Sequence, residues 1–403
     1  MTPGARVSAA IVILDIVLKG EPVNKVLLNW FRKNRFAGSK DRFAIREIVF
    51  NCLRFKRSSL WAFTQHGFSE SGRSLVLGSL DRNDGVELDF FDNARFSPTR
   101  VTRAEKVVLE SMERLLQKAP ESVVFDYPDF LDCFLNDSLG VAKRAILNSL
   151  NNRAQLFLRV NLLKSSVSKA IACLKNEGVA VEKSSNISNC LLVKKPIRNL
   201  DKLPVFSSGK VEIQDISSQA IVNFINPRKG ISILDYCAGS GGKTLAMASL
   251  TNMQSKFFIH DKFVSRTVNF KNRAKRAGVY AKVVTSSELQ GGCHVFDLVV
   301  ADVPCSGTGV WRRSPESKWW LTKLKLDKLR KEQREIVLCA ANLVRQHGYL
   351  AYISCSILKA ENQDQINWFL SKNKSFLFVK ELFVSPQDGG DGFYTAILKK
   401  ATD

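Results

Sequence analysis

From residue 231 onward the chain alternates short apolar runs with helical stretches, and this alternation restricts the fold more than any other feature. The runs are ISILD (231–235), KFFIHD (256–261), AKVVT (281–285), FDLVVAD (296–302) and YLAYISC (349–355). Apolar strands alternating with helices imply a parallel sheet covered by helices on both faces. In such a sheet, ligands sit at the carboxyl ends of the strands. Several of these runs end in Asp or Cys, so the residues just past each strand are the candidates for chemistry. Two later runs, FLFVKELFV (376–384) and GFYTAILKK (392–400), fit an antiparallel finish to the same sheet.

The residues upstream have a different texture. ARVSAAIVILDIVLKG (5–20), closed by Gly20, PVNKVLLNWFRKNRF (22–36) and a segment opening at Ser39 read as helices. In the last, Ala44, Ile48 and Cys52 recur every fourth residue beside Ile45, Val49 and Leu53, one apolar face. Lys40, Arg42, Arg46, Arg54, Lys56 and Arg57 occupy the opposite side, either a solvated surface or one facing phosphates. Residues 66–100 mix Gly, Ser, Asp and Asn and read as a loop-rich connector, and helical pattern returns from Arg103 to about Ser149. A small α+β unit follows: a strand in QLFLRVNLL (155–163), a capped helix ending at Gly178 and a strand in CLLVKK (190–195). Residues 209–230 then read as a strand, a polar turn and a helix.

Sixty Lys and Arg against 38 Asp and Glu leave a net charge of +22, which favours a polyanionic partner, nucleic acid above all. No run approaches the ~18–20 uninterrupted apolar residues of a membrane span, and the apolar start is broken by Asp15. The nine cysteines are scattered and odd in number, as expected of reduced cytoplasmic thiols. With neither a CxxC nor an HExxH and with four isolated histidines, no metal site is expected.

ILDYCAGSGGKT (233–244) is a strand, a glycine-rich turn and a helix start. Gly239, Gly241 and Gly242 let the backbone bend sharply and approach a ligand that meets helix N-terminal amides. The stretch lacks both the GxGxxG spacing of dinucleotide folds and the GxxxxGK of phosphate loops. Asp261, at the end of the next strand, stands where a carboxylate accepts hydrogen bonds from both hydroxyls of a ribose. A glycine turn plus a ribose-binding acid, without a phosphate cradle, suits S-adenosyl-L-methionine.

Cys305 and Cys355 both fall at strand ends and are placed to converge on one substrate. Carbon 5 of a pyrimidine does not attack a methyl sulfonium unaided. A thiolate adding to carbon 6 makes carbon 5 nucleophilic, and a base must later remove the carbon-5 proton. Asp302, close to Pro304-Cys305, is suited to accept from the exocyclic amine of cytosine. Which cysteine attacks is open at this level. Cys52, Cys133, Cys173 and Cys339 lie in helical patterns and read as buried small hydrophobes, Cys190 and Cys293 as inert, and Cys237 as packing beneath the cofactor.

VEIQDISSQ, ILDYCAGSGGKT, FDLVVADVPCSGTGVWRRSPESKW, YISCSILKAENQDQI and DGFYTAILKK occur in the order found in RsmB/NOP-type (Sun-related) RNA (cytosine-5)-methyltransferases, and the chain resembles that family from about Leu156 onward. The N-terminal helices resemble the NusB-like RNA-binding domain of bacterial members. The resemblance implies an α/β fold: a Rossmann-like class I methyltransferase domain with a doubly wound, mostly parallel sheet, an all-helical NusB-like domain and a small α+β (RRM-like) module between. The corresponding boundaries are 1–150, 151–208 and 209–403. It also implies Cys355 as nucleophile, Cys305 as the residue assisting product release, and Asp302 and Asp261 in the site. Cys237, Ala238, Gly239, Ser240, Gly241, Gly242 and Lys243 would line the cofactor. The expected partner is RNA, ribosomal RNA first, bound by a monomer with no metal and no membrane. Transfer RNA as substrate, a non-catalytic RNA-binding or assembly role, and DNA methylation from Cys305 are the alternatives. Three positions depart from the family pattern: Gly239-Ser240 replaces Ala-Pro, Ser354 replaces a threonine, and Ser286, Ser287 and Glu288 stand where an acid contacts the adenine, which leaves that contact open. Arg312 and Arg313 are candidates for gripping phosphates.

Overall fold

The protein is described from a computed structural model covering residues 1–401 apart from 84, 196, 198 and 292–294, so Cys293 lies outside the described residues. The chain divides into two compact units, Met1–Asp132 with Trp311–Leu321, and Cys133–Val310 with Thr322–Asp403.

The first unit is built from helices, among them Pro3–Leu18, Val23–Lys33, Ser39–Arg54, Lys56–Thr64, Gly72–Gly78 and Arg103–Gln117. Their apolar faces meet in one core containing Val7, Ile13, Leu14, Ile45, Val49, Leu60, Phe63 and Val108. Local chemistry fixes the ends. Thr102 accepts from the Glu105 amide, and Glu105 returns the bond to the Thr102 amide, a reciprocal cap. The segment opening at Ser39 is two helices rather than one, broken at Phe55. The connector expected at 66–100 contains the helix Gly72–Gly78, whose Leu75, Val76 and Leu77 are fully buried. Its glycines read as turn signals, but they mark close approach. A Cβ on Gly72 would lie 2.3 Å from the Ile11 carbonyl oxygen, and one on Gly78 2.7 Å from the Ser59 Cβ. The excursion Trp311–Leu321 joins this unit through the Trp319 indole N–H, which donates to the Leu53 carbonyl at 2.7 Å.

The second unit holds two sheets. Strands β1 (Phe157–Val160), β2 (Val181–Lys183), β3 (Cys190–Val193) and β4 (Val211–Ile213) form an antiparallel sheet in the order β2-β3-β1-β4. The strand expected in 209–230 thus pairs with β1, in the small sheet. Glu212 on β4 is 1% exposed and ion-paired to Arg273 and Arg276 at 3.1 and 2.6 Å, which ties the small sheet to the helix Val264–Ala277.

Strands β5 (Ser232–Asp235), β6 (Lys256–Ile259), β7 (Lys282–Val283), β8 (Phe296–Asp302), β9 (Val344–Ser354), β10 (Phe376–Val384) and β11 (Phe393–Lys400) make the larger sheet, in the order β10-β11-β9-β8-β5-β6-β7. The strands β5 to β9 run parallel; β11 and β10 add antiparallel. Alternate residues go to opposite faces: Ile233, Val300, Ala351 and Ile353 enter one core, Leu234, Val299, Leu350 and Tyr352 the other. Both faces are buried, which is why the strands read as unbroken apolar runs. Each fully buried Val, Leu or Ile contributes roughly 1.5–3 kcal/mol. The chain starts at central β5, moves outward to β6 and β7, then crosses to β8 on the other side. Strand order therefore reverses between β5 and β8, and a crevice opens at their carboxyl ends.

Candidate active site

The glycine turn leaves β5 at that crevice. The Tyr236 amide donates to the Val300 carbonyl at 2.8 Å and the Ala238 amide to the His260 carbonyl at 2.9 Å, so the turn spans β6, β5 and β8. Gly239 and Gly241 have φ of +53° and +76°, values that side chains disfavour. A Cβ on Gly241 would strike the Phe270 ring at 2.1 Å, whereas nothing lies within 4 Å of one on Gly239. Open space therefore borders the turn at Gly239, and the helix Gly242–Leu250 begins there with no side-chain cap. Asp261 is 8% exposed; its carboxylate accepts from the Gly239 and Phe263 amides, each at 2.9 Å. Each of its oxygens keeps a lone pair, the arrangement a pair of ribose hydroxyls requires.

Asp235, at the end of β5, was not singled out in the sequence. It is 2% exposed, accepts from Thr244 Oγ1 at 2.6 Å, and its second oxygen is buried without a hydrogen-bond partner. Burial pushes its pKa up to about 6, against the Thr244 hydrogen bond, and the charge of Asp302 adds to the rise. An open cradle, an orphaned carboxylate oxygen and the Asp261 acceptors fit the ribose and amino-acid ends of S-adenosylmethionine. The same signal that marked Asp261 and Asp302, an acid closing an apolar strand, was available for Asp235.

Lys243 turns away from the glycine loop. Its Nζ lies 2.5 Å from Asp302 Oδ2 and 5.1 Å from the centre of the Phe393 ring. Burial works against its charge, but Asp302 first, then Cys355 and Asp235, outweigh burial and hold the ammonium above its ordinary range. Cys237 is half-buried, and burial with the surrounding carboxylates drives its pKa up, so it remains a thiol. At the end of β7, Glu288 is spent on capping Thr285, while Ser286 Oγ meets His260 Nε2 at 2.9 Å and His260 Nδ1 meets the Tyr236 carbonyl at 2.8 Å.

Cys305 and Cys355 follow the neighbouring strands β8 and β9, and their sulfurs lie 3.2 Å apart. The pKa of Cys305 is pushed well up, by its hydrogen bond to Cys355 first, then by burial and by the charges of Cys355 and Glu361. Cys305 thus keeps its proton and can donate it to the Cys355 sulfur. Ser354, beside Cys355, is fully buried and donates to Asn362 Oδ1 at 2.5 Å.

The remaining cysteines divide. Cys52 and Cys190 are buried, with pKa values pushed up to about 12 by burial. Cys173 is half-buried. Cys133 and Cys339 are exposed rather than buried, because each lies on the outward side of its helix. Part of the basic N-terminal face is consumed within its own unit, where Arg54 is 5% exposed and donates to the Arg312 carbonyl and Arg57 pairs with Asp129 at 2.6 Å, while Lys40 and Arg46 are exposed. Arg312 is itself 6% exposed, so of the two arginines only Arg313 faces solvent.

A reversed strand order with a glycine turn and strand-end acids is the arrangement expected of an S-adenosylmethionine-dependent methyltransferase. Residues 222–399 match the family described as 16S rRNA methyltransferase RsmB/F, and residues 127–199 match the ferredoxin-like domain of RsmF/B-like methyltransferases. Ribosomal RNA small subunit methyltransferase B of Pectobacterium carotovorum is 30% identical over 303 residues, covering 72% of this chain and 70% of its own. The namesake from Pasteurella multocida is 30% identical over 312 residues, 72% and 69% of the two chains. In solved structures, PH0851 aligns with a TM-score of 0.76 at 22% identity over 99% of both chains. NSun6 from Pyrococcus horikoshii, solved with SFG, aligns with a TM-score of 0.63 at 20% identity over 70% of this chain and 100% of its own. The chain belongs to the RsmB/F family, the S-adenosylmethionine-dependent methyltransferases of ribosomal RNA.

Proposed function

We propose that this protein methylates carbon 5 of a cytosine in small-subunit ribosomal RNA through a covalent bond from Cys355 to the base. The observation that carries this reading is the 3.2 Å approach of the two sulfurs beside Asp302 and Lys243. A protein that only binds RNA needs no second thiol; a carbon-5 methyltransferase needs one sulfur to activate the ring and a second group to take its proton.

S-adenosylmethionine, when bound, supplies a methyl group on a sulfonium centre. Asp261 would hold its ribose, and the turn from Cys237 through Ala238, Gly239, Ser240, Gly241 and Gly242 to Lys243 would border it. Asp302 accepts from the exocyclic amine of the cytosine. The Lys243 ammonium favours negative charge on the Cys355 sulfur. That sulfur adds to carbon 6, and the electrons of the ring double bond shift to carbon 5, which takes the methyl group. Cys355 is then a thioether, and the largest contribution holding the Cys305 proton in place, that of the Cys355 sulfur, is gone. Cys305 now releases its proton to solvent and, as thiolate, takes the one on carbon 5. The double bond re-forms and the Cys355 thiolate leaves. The helical residues 1–150 would bind RNA, the module 151–208 would link them to the catalytic residues 209–403, and the enzyme would act as a cytoplasmic monomer.

The test is tritium release. Small-subunit RNA carrying tritium at carbon 5 of its cytosines should lose one tritium per methyl group transferred. Methyl transfer without tritium release would place the methyl elsewhere and end this reading.

A further inference from the structure

Glu361 lies in none of the roles described so far, yet it touches both halves of the thiol site. It is fully buried. One carboxylate oxygen accepts from the Ser306 amide at 2.8 Å and from Gln333 Nε2 at 2.9 Å. The other accepts from Ser306 Oγ and, at 2.5 Å, from Ser356 Oγ. Ser306 directly follows Cys305, and Ser356 directly follows Cys355. One carboxylate is therefore the common acceptor of both cysteine-bearing loops. The backbone joins in: Tyr352 OH donates to the Glu361 carbonyl at 2.6 Å, the Gly309 amide to the Cys355 carbonyl at 3.0 Å, and the Ile357 amide to Thr308 Oγ1 at 3.0 Å. Gln333, fully buried on the helix Lys323–Asn342, also donates to the Pro304 carbonyl at 3.0 Å, so this helix backs the same loop.

Among the described residues, no lysine or arginine forms an ion pair with Glu361. A buried carboxylate held by neutral donors keeps its field, because nothing nearby cancels it. The other charged or titratable groups around the pair are Lys243 with Asp302 beside Cys355, the Tyr352 phenol, and Arg330, whose Nε donates to the Ala360 carbonyl at 3.2 Å. The cation therefore acts on Cys355, whereas the carboxylate holds both loops and its charge bears on Cys305.

We propose that Glu361 is a positioning residue for methyl transfer: its carboxylate binds the two cysteine loops into one frame and keeps the proton of the thiol pair on Cys305. The proposal rests on Cys355 as nucleophile. It goes beyond that reading by assigning the asymmetry of two chemically identical sulfurs to a third residue. The rise in the Cys305 pKa, to which Glu361 contributes, agrees in direction.

The test compares wild type, Glu361→Gln and Glu361→Asp in the full chain, without RNA or cofactor. Iodoacetamide labelling between about pH 6 and pH 10 is read at each cysteine by peptide mass spectrometry. Neutralising the anion should move Cys305 labelling down by about one pH unit, a tenfold gain in thiolate fraction. The pH profile of kcat should move with it, while KM for RNA stays put. Glu361→Asp keeps the charge but withdraws it by one methylene, so labelling order should be retained and kcat should fall roughly tenfold through misplaced loops. Wild-type labelling order and pH profile in a folded Glu361→Gln would overturn the proposal. If that variant fails to fold, an unchanged kcat in Glu361→Asp would do the same. Covalent trapping of RNA on Cys355 in Cys305→Ala reports on the nucleophile alone. Trapping without a Glu361 effect sinks only this inference, and absence of trapping sinks the reading beneath it.

Discussion

Lys318 in the helical unit and Lys243 in the crevice are both buried, and they answer burial in opposite ways. In the helical unit, Lys318 is fully buried with its Nζ 5.3 Å from the centre of the Trp311 ring and 3.4 Å from the Arg54 carbonyl. Burial pulls its pKa down to about 7, with Asp126 opposing and Arg54 assisting the fall. In the crevice, Lys243 is 9% exposed, but Asp302 at 2.5 Å more than offsets burial and its pKa rises. A lysine whose hold on its charge is weakened by burial serves packing. A lysine that keeps it, facing a thiol, serves chemistry. Asp302 prevails over burial at Lys243, whereas Asp126 opposes burial at Lys318 without prevailing.

The largest effect expected on the crevice side comes from Cys355→Ala. Methyl transfer to RNA should fall by roughly a thousandfold or more while the circular dichroism spectrum is unchanged. Residual transfer near wild type would remove the crevice from the comparison altogether. Next in size, Lys243→Met leaves Asp302 half-buried without its cation and Cys355 without its neighbouring ammonium. We expect kcat to fall roughly a hundredfold, with the protein still folded, read by single-turnover methylation. A loss confined to KM would reassign Lys243 to ligand binding.

Asp235 sharpens the contrast from the opposite sign of charge. Its pKa, raised from 3.8 to about 6, means that the folded state holds a proton the unfolded state has released. Stability therefore falls as pH rises from about 4 to about 6, and the penalty is fully present above that window. Asp235→Asn should stabilise the protein by about 2 kcal/mol at neutral pH in denaturant titrations. Its affinity for S-adenosylmethionine, read by calorimetry, should drop roughly tenfold.

The smallest effect is on Lys318. Its folded pKa of about 7 lies below the ordinary lysine value of 10.5, so between these values the unfolded state binds the extra proton. Stability from this group therefore rises with pH across that window. Lys318→Met should flatten the rise of the melting temperature between about pH 7 and pH 10, and leave methyl transfer per folded molecule unchanged. An undiminished slope in the variant would show that Lys318 keeps its charge in the fold.

The two units also differ in how openly the sequence displays them. Apolar runs buried on both faces, as in β8 and β9, announce a parallel sheet, and its geometry delivers Asp261, Asp302, Cys305 and Cys355 to one edge. The short strand β2 leaves no alternating pattern in the sequence, because Val181–Lys183 is brief and largely exposed. The helix Gly72–Gly78 was hidden because glycine is ambiguous, marking a turn in one place and a close helix contact in another. Cys133 and Cys339 were expected inside, but a helical period does not say which face a single cysteine occupies when the apolar stripe is broad. The second layer of the site was illegible for a different reason. Glu361 reaches Ser306 across two strands, and Lys243 leaves its own loop for Asp302. Such pairings follow from register between distant segments, which no local pattern encodes.

One measurement bears most directly on the central claim that Cys355 bonds to the base and Cys305 frees it. Cys305→Ala, incubated with small-subunit RNA and S-adenosylmethionine, is run on a denaturing gel beside Cys355→Ala and the double variant. We predict an RNA–protein adduct that survives denaturation in Cys305→Ala and is absent from the other two. An adduct in Cys355→Ala, or one that persists in the double variant, would contradict the account.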